Sequence, residues 1–172
     1  MIETRSLRLI PYAPEQILAL IEQPDRFEDL AGFPAAPGLR DGFVSEEVSP
    51  VWLAELRKLD HPDPWRLGFA LLHHDSRSVI GNAGFKGPPD DDGVVEVAYG
   101  IVPAFQGSGY ATEATQALVE YAFANDLVKR VRAHTLPTPN ASTKVLTKCG
   151  FTRVEDVIDP DDGPVWRWER IA

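Results

Sequence analysis

From Gln106 the chain reads Gln-Gly-Ser-Gly-Tyr-Ala-Thr, ending at Thr112. Two residues without a Cβ in so short a stretch let successive backbone N–H groups turn toward one point and let a ligand approach the main chain closely. The flanking sequence makes that point suited to an anion. Val94 to Val102 carries β-branched or aromatic side chains at Val94, Val95, Val97, Tyr99, Ile101 and Val102, the make-up of a largely buried strand, which Pro103 ends. A helical pattern then takes over, with Ala111, Ala114, Ala117, Leu118, Tyr121 and Ala122 on one face and Glu113, Gln116 and Glu120 on its flank. The first N–H groups of that helix have no intrahelical partner and point back at the glycines, so loop amides and helix dipole together favour a phosphate or pyrophosphate. A dinucleotide fingerprint would need glycine where Thr112 stands, and a nucleotide P-loop would need a lysine in the loop. The plainer alternative is a turn whose glycines only join strand to helix.

Glu96 is the ionisable residue in the middle of the apolar strand. Burial without a fixed cation would raise its pKa toward the range useful to a general base, whereas an ion pair with Lys86 or Arg132 on a flanking strand would make it structural. Further on, Asn140 is a natural helix N-cap, and Gly150 with Phe151 suits the left-handed position after the helix and its hydrophobic partner. Ser142, in the first turn, reads most simply as bonded within its own helix. His73 and His74 are adjacent in a turn and point apart, with no second ligand pair at metal spacing, and the single cysteine, Cys149, excludes a disulfide and a Cys-based zinc site, so no metal is expected. His134 lies in a later strand and could face the cleft, with a core or surface histidine as the default reading. Trp166 and Trp168 share one face of the last strand and read as core, or as the contact of a possible homodimer, rather than a substrate cage.

The elements that must hold these residues can be placed in order. Residues 1–172 fit a single domain with one core. Glu3 to Ile10 alternates as an edge strand, Pro14 to Glu22 is a short helix, and Asp25 to Val48 is long, irregular and rich in proline, glycine and aromatics, the pattern of a binding loop or of plain packing. Ser49-Pro50 starts a second helix. Trp65 to Leu72, Ser78 to Lys86 and Val94 to Val102 read as three consecutive antiparallel strands. After the central helix, Arg130 to Leu136 must run parallel to Val94–Val102, because a helix joins them. A helix over Ala141 to Cys149 and strands over Phe151 to Ile158 and Val165 to Arg170 complete the chain. A net charge of −9 argues against a nucleic-acid surface, which needs clustered Lys and Arg. No run of 18 apolar residues occurs, and Glu3, Arg5 and Arg8 interrupt any signal peptide, so no membrane partner is expected and a soluble, cytoplasmic setting is.

Ile101-Val102-Pro103, then Gln106-x-x-Gly109-x-Ala111 and Thr112-Glu113-Ala114, resembles the acetyl-CoA pyrophosphate motif of the GNAT superfamily of N-acetyltransferases, and the GYATEA continuation is most similar to its ribosomal-protein N-terminal acetyltransferase (RimJ/RimL-like) branch. Asn140-x-Ser142 followed by Lys148-x-Gly150-Phe151 resembles a second family pattern, and the order of elements extends the resemblance over nearly the whole chain. The resemblance implies an α/β (α+β) GNAT fold, a central, mixed, mostly antiparallel seven-stranded sheet flanked by about four helices. It implies acetyl-CoA as cosubstrate and direct transfer of the acetyl group to a primary amine without a covalent enzyme intermediate. By the same resemblance Gln106, Gly107, Ser108, Gly109, Tyr110, Ala111 and Thr112 would hold the pyrophosphate, Ile101 and Val102 the pantetheine through their main chain, and Asn140 its distal part. Glu96 would take the amine proton, often through water, and Ser142 matches a position proposed as proton donor to the thiolate. Many members instead have a tyrosine on this last helix, and none stands between Pro139 and Phe151 here. Neutralising a lysine amine at pH 7 costs about 4.6 kcal/mol and an α-amine roughly 1 to 1.4, so a protein or peptide N-terminus asks less of the base. Acceptance of a small amine or polycation, suggested by the acidic charge, and a non-catalytic acyl-CoA-binding module are the competing expectations.

Overall fold

A computed structural model of the chain describes residues 1–44 and 48–172. Eight strands form one sheet in the order β1-β2-β3-β4-β5-β6-β8-β7, with β5 and β6 the parallel pair and every other neighbour antiparallel. The strands are β1 (Ile2–Glu3), β2 (Leu7–Pro11), β3 (Phe69–His73), β4 (Val79–Phe85), β5 (Val94–Ile101), β6 (Arg130–Thr135), β7 (Thr152–Asp159) and β8 (Gly163–Ile171). Among the described residues, four helices reach eight residues or more: α1 (Pro14–Glu22), α4 (Pro50–Lys58), α6 (Tyr110–Phe123) and α7 (Ala141–Lys148). The single-turn or nearly single-turn helices α2 (Phe27–Ala31), α3 (Asp41–Val44) and α5 (Pro64–Leu67) fill the connections. No helix among the described residues is long and apolar enough to cross a membrane.

The eighth strand arises where sequence alternation predicts one continuous edge strand. Thr4 Oγ1 and the Ser6 N–H both donate to Glu113 Oε1 of α6, each at 2.5 Å, and Thr4 N–H closes a turn onto the Leu7 carbonyl. A carboxylate from the far side of the sequence thus breaks the strand into a hairpin. Trp65 is likewise not in a strand. Asp63 caps one helical turn by accepting from the Trp65 and Arg66 N–H groups, and β3 starts only after Gly68, whose φ of 68° ends the turn. The segment from Asp25 holds more order than its composition suggests. Phe27 and Leu39 are buried in the core, Ala35 bridges Val79, and the Arg40 guanidinium donates to the Leu20 and Ile21 carbonyls at the end of α1. Residues 45–47 of that expected segment lie outside the described residues.

What positions the site is the middle of the sheet. β5 is held on one side by β4, from Phe85↔Val97 to Gly81↔Ile101, and on the other by β6 only from Val94↔Arg130 to Glu96↔Arg132. Beyond Glu96 the two parallel strands part. α6 packs on β5, with Ala114, Thr115, Ala117, Leu118, Val119 and Ala122 buried, and α7 packs against α6 and β6. The buried face of α6 is wider than the stripe read from sequence because it meets the sheet and α7 together. The loops at the open end of the β5–β6 gap therefore face two helix N-termini.

Candidate active site

The glycine loop begins where β5 leaves the sheet. Val102 N–H donates to the Ile80 carbonyl (2.9 Å) and its own carbonyl accepts from Phe105 N–H (3.0 Å), closing a 3₁₀ turn over Pro103–Phe105. Hydrogen-bonded residues of an antiparallel pair alternate. With Val102 bonded to β4, the main-chain groups of Tyr99 and Ile101 are the ones turned toward the gap. The Ile101 carbonyl is already occupied, accepting from Gln106 Nε2 at 2.8 Å, which leaves its N–H. Val102 departs from the expectation placed on it: its side chain is buried and both its main-chain groups are spent within the protein.

Gly107 and Gly109 adopt φ of 81° and 87°, the left-handed region open to glycine at little cost. The first helical bond of α6 runs from Glu113 N–H to the Gly109 carbonyl, 3.0 Å. Among the described residues, the N–H groups of Gly107, Ser108, Gly109, Tyr110, Ala111 and Thr112 find no acceptor in the protein. They border a groove of about 400 Å³ lined by Ile101, Gln106, Gly107, Gly109, Tyr110, Ala111 and Thr112 on one wall and by Lys144 and Lys148 of α7 on the other. In a chain of net charge −9, free amides at a helix N-terminus facing two lysines give the groove a local positive potential. Ser108 belongs to the loop but does not line the groove. Tyr110 is steadied from behind. Ser76 N–H donates to His73 Nδ1 (3.2 Å), so His73 carries its hydrogen on Nε2 and offers it to the Tyr110 hydroxyl, 2.9 Å away, while Phe105 packs edge-on. Sequence places His73 in a polar turn; it is the buried last residue of β3.

A second cavity of about 360 Å³ opens along the parted strands and is lined by Lys86, Glu96, Tyr99, His134, Asn140, Ser142 and Asp162, among others. Tyr99 and Ser142 line both spaces and so stand at their junction. Glu96 sits opposite Lys86 across β4–β5. Its Oε1 meets Lys86 Nζ at 2.6 Å and His134 Nδ1 at 2.9 Å. Arg132, the other partner weighed from sequence, is taken by Glu169. Burial pushes the Glu96 carboxyl up, but the hydrogen bonds from His134 and Lys86 and the lysine charge outweigh it, leaving the group below the usual carboxylate range. An elevated pKa is therefore not found, because a fixed cation is present. The same pair holds Lys86 above its ordinary value despite desolvation.

His134, by default a core or surface histidine in the sequence and alternatively one facing the cleft, lines this cavity. Arg167 Nε–H, which can only donate, approaches His134 Nε2 at 3.2 Å, so the imidazole hydrogen lies on Nδ1 and points at Glu96. Asn140 serves as the N-cap of α7: its Oδ1 accepts from Thr143 N–H (3.0 Å) and its own N–H donates to Thr143 Oγ1 (3.0 Å). Its Nδ2 hydrogens find no partner among the described residues, so capping and a ligand contact are compatible in one side chain. Burial pushes the Tyr99 phenol up to about 12. Trp168 is buried and donates to Thr135 Oγ1 (3.0 Å), Trp166 carries the Arg153 guanidinium over its ring, and neither lines the two cavities.

Comparison with known proteins agrees with this geometry. The profile of the acetyltransferase (GNAT) domain matches residues 7–152. The chain is 31% identical over 81 residues to the uncharacterized N-acetyltransferase YjdG of Bacillus subtilis (strain 168), 47% of this chain and 48% of that protein. It is 35% identical over 69 residues to the FsC-acetyl coenzyme A-N(2)-transacetylase of Aspergillus fumigatus, 40% of this chain and 29% of that one. The matches thus span about half or less of these relatives' length. Among solved structures, the ribosomal-protein-S5-alanine acetyltransferase of Vibrio fischeri superposes with a TM-score of 0.67 at 15% identity, covering 99% of this chain and 95% of that one. The aminoglycoside acetyltransferase AAC(6')-Ib in complex with coenzyme A does so with 0.62 at 18%, covering 96% and 95%. At these identities the structures speak to the fold. The profile match over most of the chain, with the parted central strands and the glycine loop, places this protein in the GNAT acetyltransferase family.

Proposed function

We propose that this chain transfers the acetyl group of acetyl-CoA directly to a primary amine, and that its preferred acceptor is the α-amine of a peptide or protein N-terminus. The observation that carries the first part is the row of unclaimed N–H groups from Gly107 to Thr112 facing Lys144 and Lys148, in a groove that runs into the gap between β5 and β6. Those amides would hold the diphosphate, and the Tyr99 and Ile101 main chain would hold the pantetheine. The thioester carbonyl would accept from the Ile101 N–H. The acceptor amine then enters from the second cavity, which ends on Glu96.

The state of Glu96 supports this acceptor class. A carboxylate held low by Lys86 and His134 is a weak base, suited to steer an amine and collect its proton through water once the nitrogen has attacked. That suffices for an α-amine, already near its pKa at neutral pH, and falls short for a lysine. A small polycation is the second reading, favoured by the Asp162 carboxylate on the cavity rim.

CoA release from acetyl-CoA, followed with a short peptide bearing a free N-terminus, an N-blocked lysine peptide and a polyamine, separates these. The expected order places the free N-terminus first, and Glu96→Gln lowers its kcat/KM by on the order of 10². Binding of acetyl-CoA without turnover of any amine would mark a non-catalytic module, and a polyamine ranked first would mark the second reading.

A further inference from the structure

The two oxygens of Glu96 are not in the same situation. Oε1 takes both donors, Lys86 Nζ at 2.6 Å and His134 Nδ1 at 2.9 Å, while no donor among the described residues meets Oε2. The side chain lines the second cavity, so Oε2 is the oxygen left for an incoming amine or its water. That division holds only while His134 presents a hydrogen at Nδ1. A bare Nδ1 would set its lone pair against the carboxylate and let the carboxylate turn.

Which ring nitrogen carries the hydrogen is decided one strand further out. His134 of β6 pairs with Arg167 of β8, and the Arg167 Nε–H fills the Nε2 lone pair at 3.2 Å. Arg167 is itself held from the edge of the sheet by the Glu155 carboxylate of β7. Glu155 reaches it through a break in register: Arg153 pairs with Trp168, but the adjoining residue of β8, Arg167, faces Glu155 and not Val154. A bulge of one residue re-aims a side chain in this way. In an unbroken ladder Val154 would stand opposite the guanidinium, which would then lack its anion. Arg167 thus donates to Glu155 on one side and to His134 on the other, and His134 and Lys86 both donate to Glu96, in a line that crosses β7, β8, β6, β5 and β4.

We propose that Arg167 is a positioning residue for the acceptor amine: acting through His134, it keeps Glu96 Oε1 occupied and Oε2 turned to the amine. This deepens the acetyl-transfer reading above and rests on it. The amine lone pair forms the C–N bond, and the C–S bond breaks with its electron pair on the CoA sulfur. The proton shed by the nitrogen passes through water to Oε2, while Oε1 keeps both its donors. Neither Arg167 nor His134 gains or loses a proton in the step. A ring held from both nitrogens cannot rotate, which fixes the carboxylate before the amine arrives.

The test has two readouts: the His134 ring nitrogens, by nitrogen-15 NMR of the protein alone at mildly alkaline pH, and kcat/KM for a peptide with a free N-terminus. The wild type, Arg167→Met, Arg167→Lys, His134→Ala and the Arg167→Met/His134→Ala double variant are compared. The wild type is expected to carry its ring hydrogen on Nδ1 alone. Arg167→Met is expected to show a mixture of the two tautomers, and Arg167→Lys, which keeps a donor, the wild-type pattern. Arg167→Met is expected to lower kcat/KM about tenfold, and to lower it no further in the His134→Ala background. A wild type with its hydrogen on Nε2, an Arg167→Met protein that keeps either the wild-type tautomer or the wild-type activity, or losses that add in the double variant overturn the positioning role. Failure of the wild type to acetylate any amine overturns the acetyl-transfer reading and this role with it; the tautomer, read without CoA or acceptor, distinguishes that from failure of the role alone.

Discussion

Glu96 shows how one cross-strand neighbour changes the meaning of a buried carboxylate. Alone on β5 it would have been a raised-pKa base; with Lys86 Nζ at 2.6 Å and the His134 Nδ1–H at 2.9 Å it stays ionised. Removing the cation should reverse this. In Lys86→Met the two groups lowering the carboxyl are reduced to one while burial still raises it, so the acid limb of the kcat/KM profile should move to higher pH. Lys86→Arg should leave the limb in place. A pH–rate series on the three proteins checks it, and an unmoved limb in Lys86→Met would detach Glu96 from the profile. Residue type and position singled out Glu96 and, as an N-cap, Asn140, while Ser142 was singled out by the family resemblance alone. Sequence could not supply the choice of Lys86 over Arg132, which depends on Glu169, opposite Arg132 on β8, taking up that guanidinium. Tyr99 escaped because it lies in a run whose alternation reads as ordinary strand, and for His134 the same alternation left core, surface and cleft open.

At the scale of elements, the glycine loop and α6 act together. A side chain at Gly109 would meet open space, but its φ of 87° is one that L-residues adopt at a cost of about 1–2 kcal/mol. Gly109→Ala should lower unfolding stability by roughly that amount and, by rotating the amides away from convergence, weaken CoA binding at least tenfold. Denaturant titration and calorimetry report the two separately. Intact CoA affinity with lowered stability would mean that the glycine serves the turn alone. The strand-loop-helix order was fully legible because its signals are local: β-branched run, proline, glycines, helical stripe. The break between β1 and β2 was not, because Glu113 from α6 makes it. Nor was the helical turn at Trp65, whose ring is drawn onto Phe85 and Tyr121 at 4.6 and 5.3 Å.

For the whole molecule, the same carboxylates tie stability to pH. Glu113 joins α6 to the N-terminal hairpin, and its hydrogen bonds from Thr4 and Ser6 overcome desolvation and hold it below the usual range, as His134 and Lys86 hold Glu96. A carboxyl depressed in the folded state contributes stability that is fully present above its unfolded value, about 4.3, and lost as pH falls through the folded one. The urea midpoint should therefore be level from pH 7 to about 5.5 in respect of these groups and fall below 4.5, and Glu113→Gln should flatten that fall. An equal fall in the variant would assign the acid sensitivity elsewhere. The fold as a whole exists to part β5 from β6 and turn the loop amides of Gly107 to Thr112 toward the opening. The most direct test of that is a backbone amide NMR titration with CoA. The N–H signals from Gly107 to Thr112 should show the largest shifts, saturating with the ligand. Saturation that leaves those six amides unmoved, or no saturation at all, would contradict it.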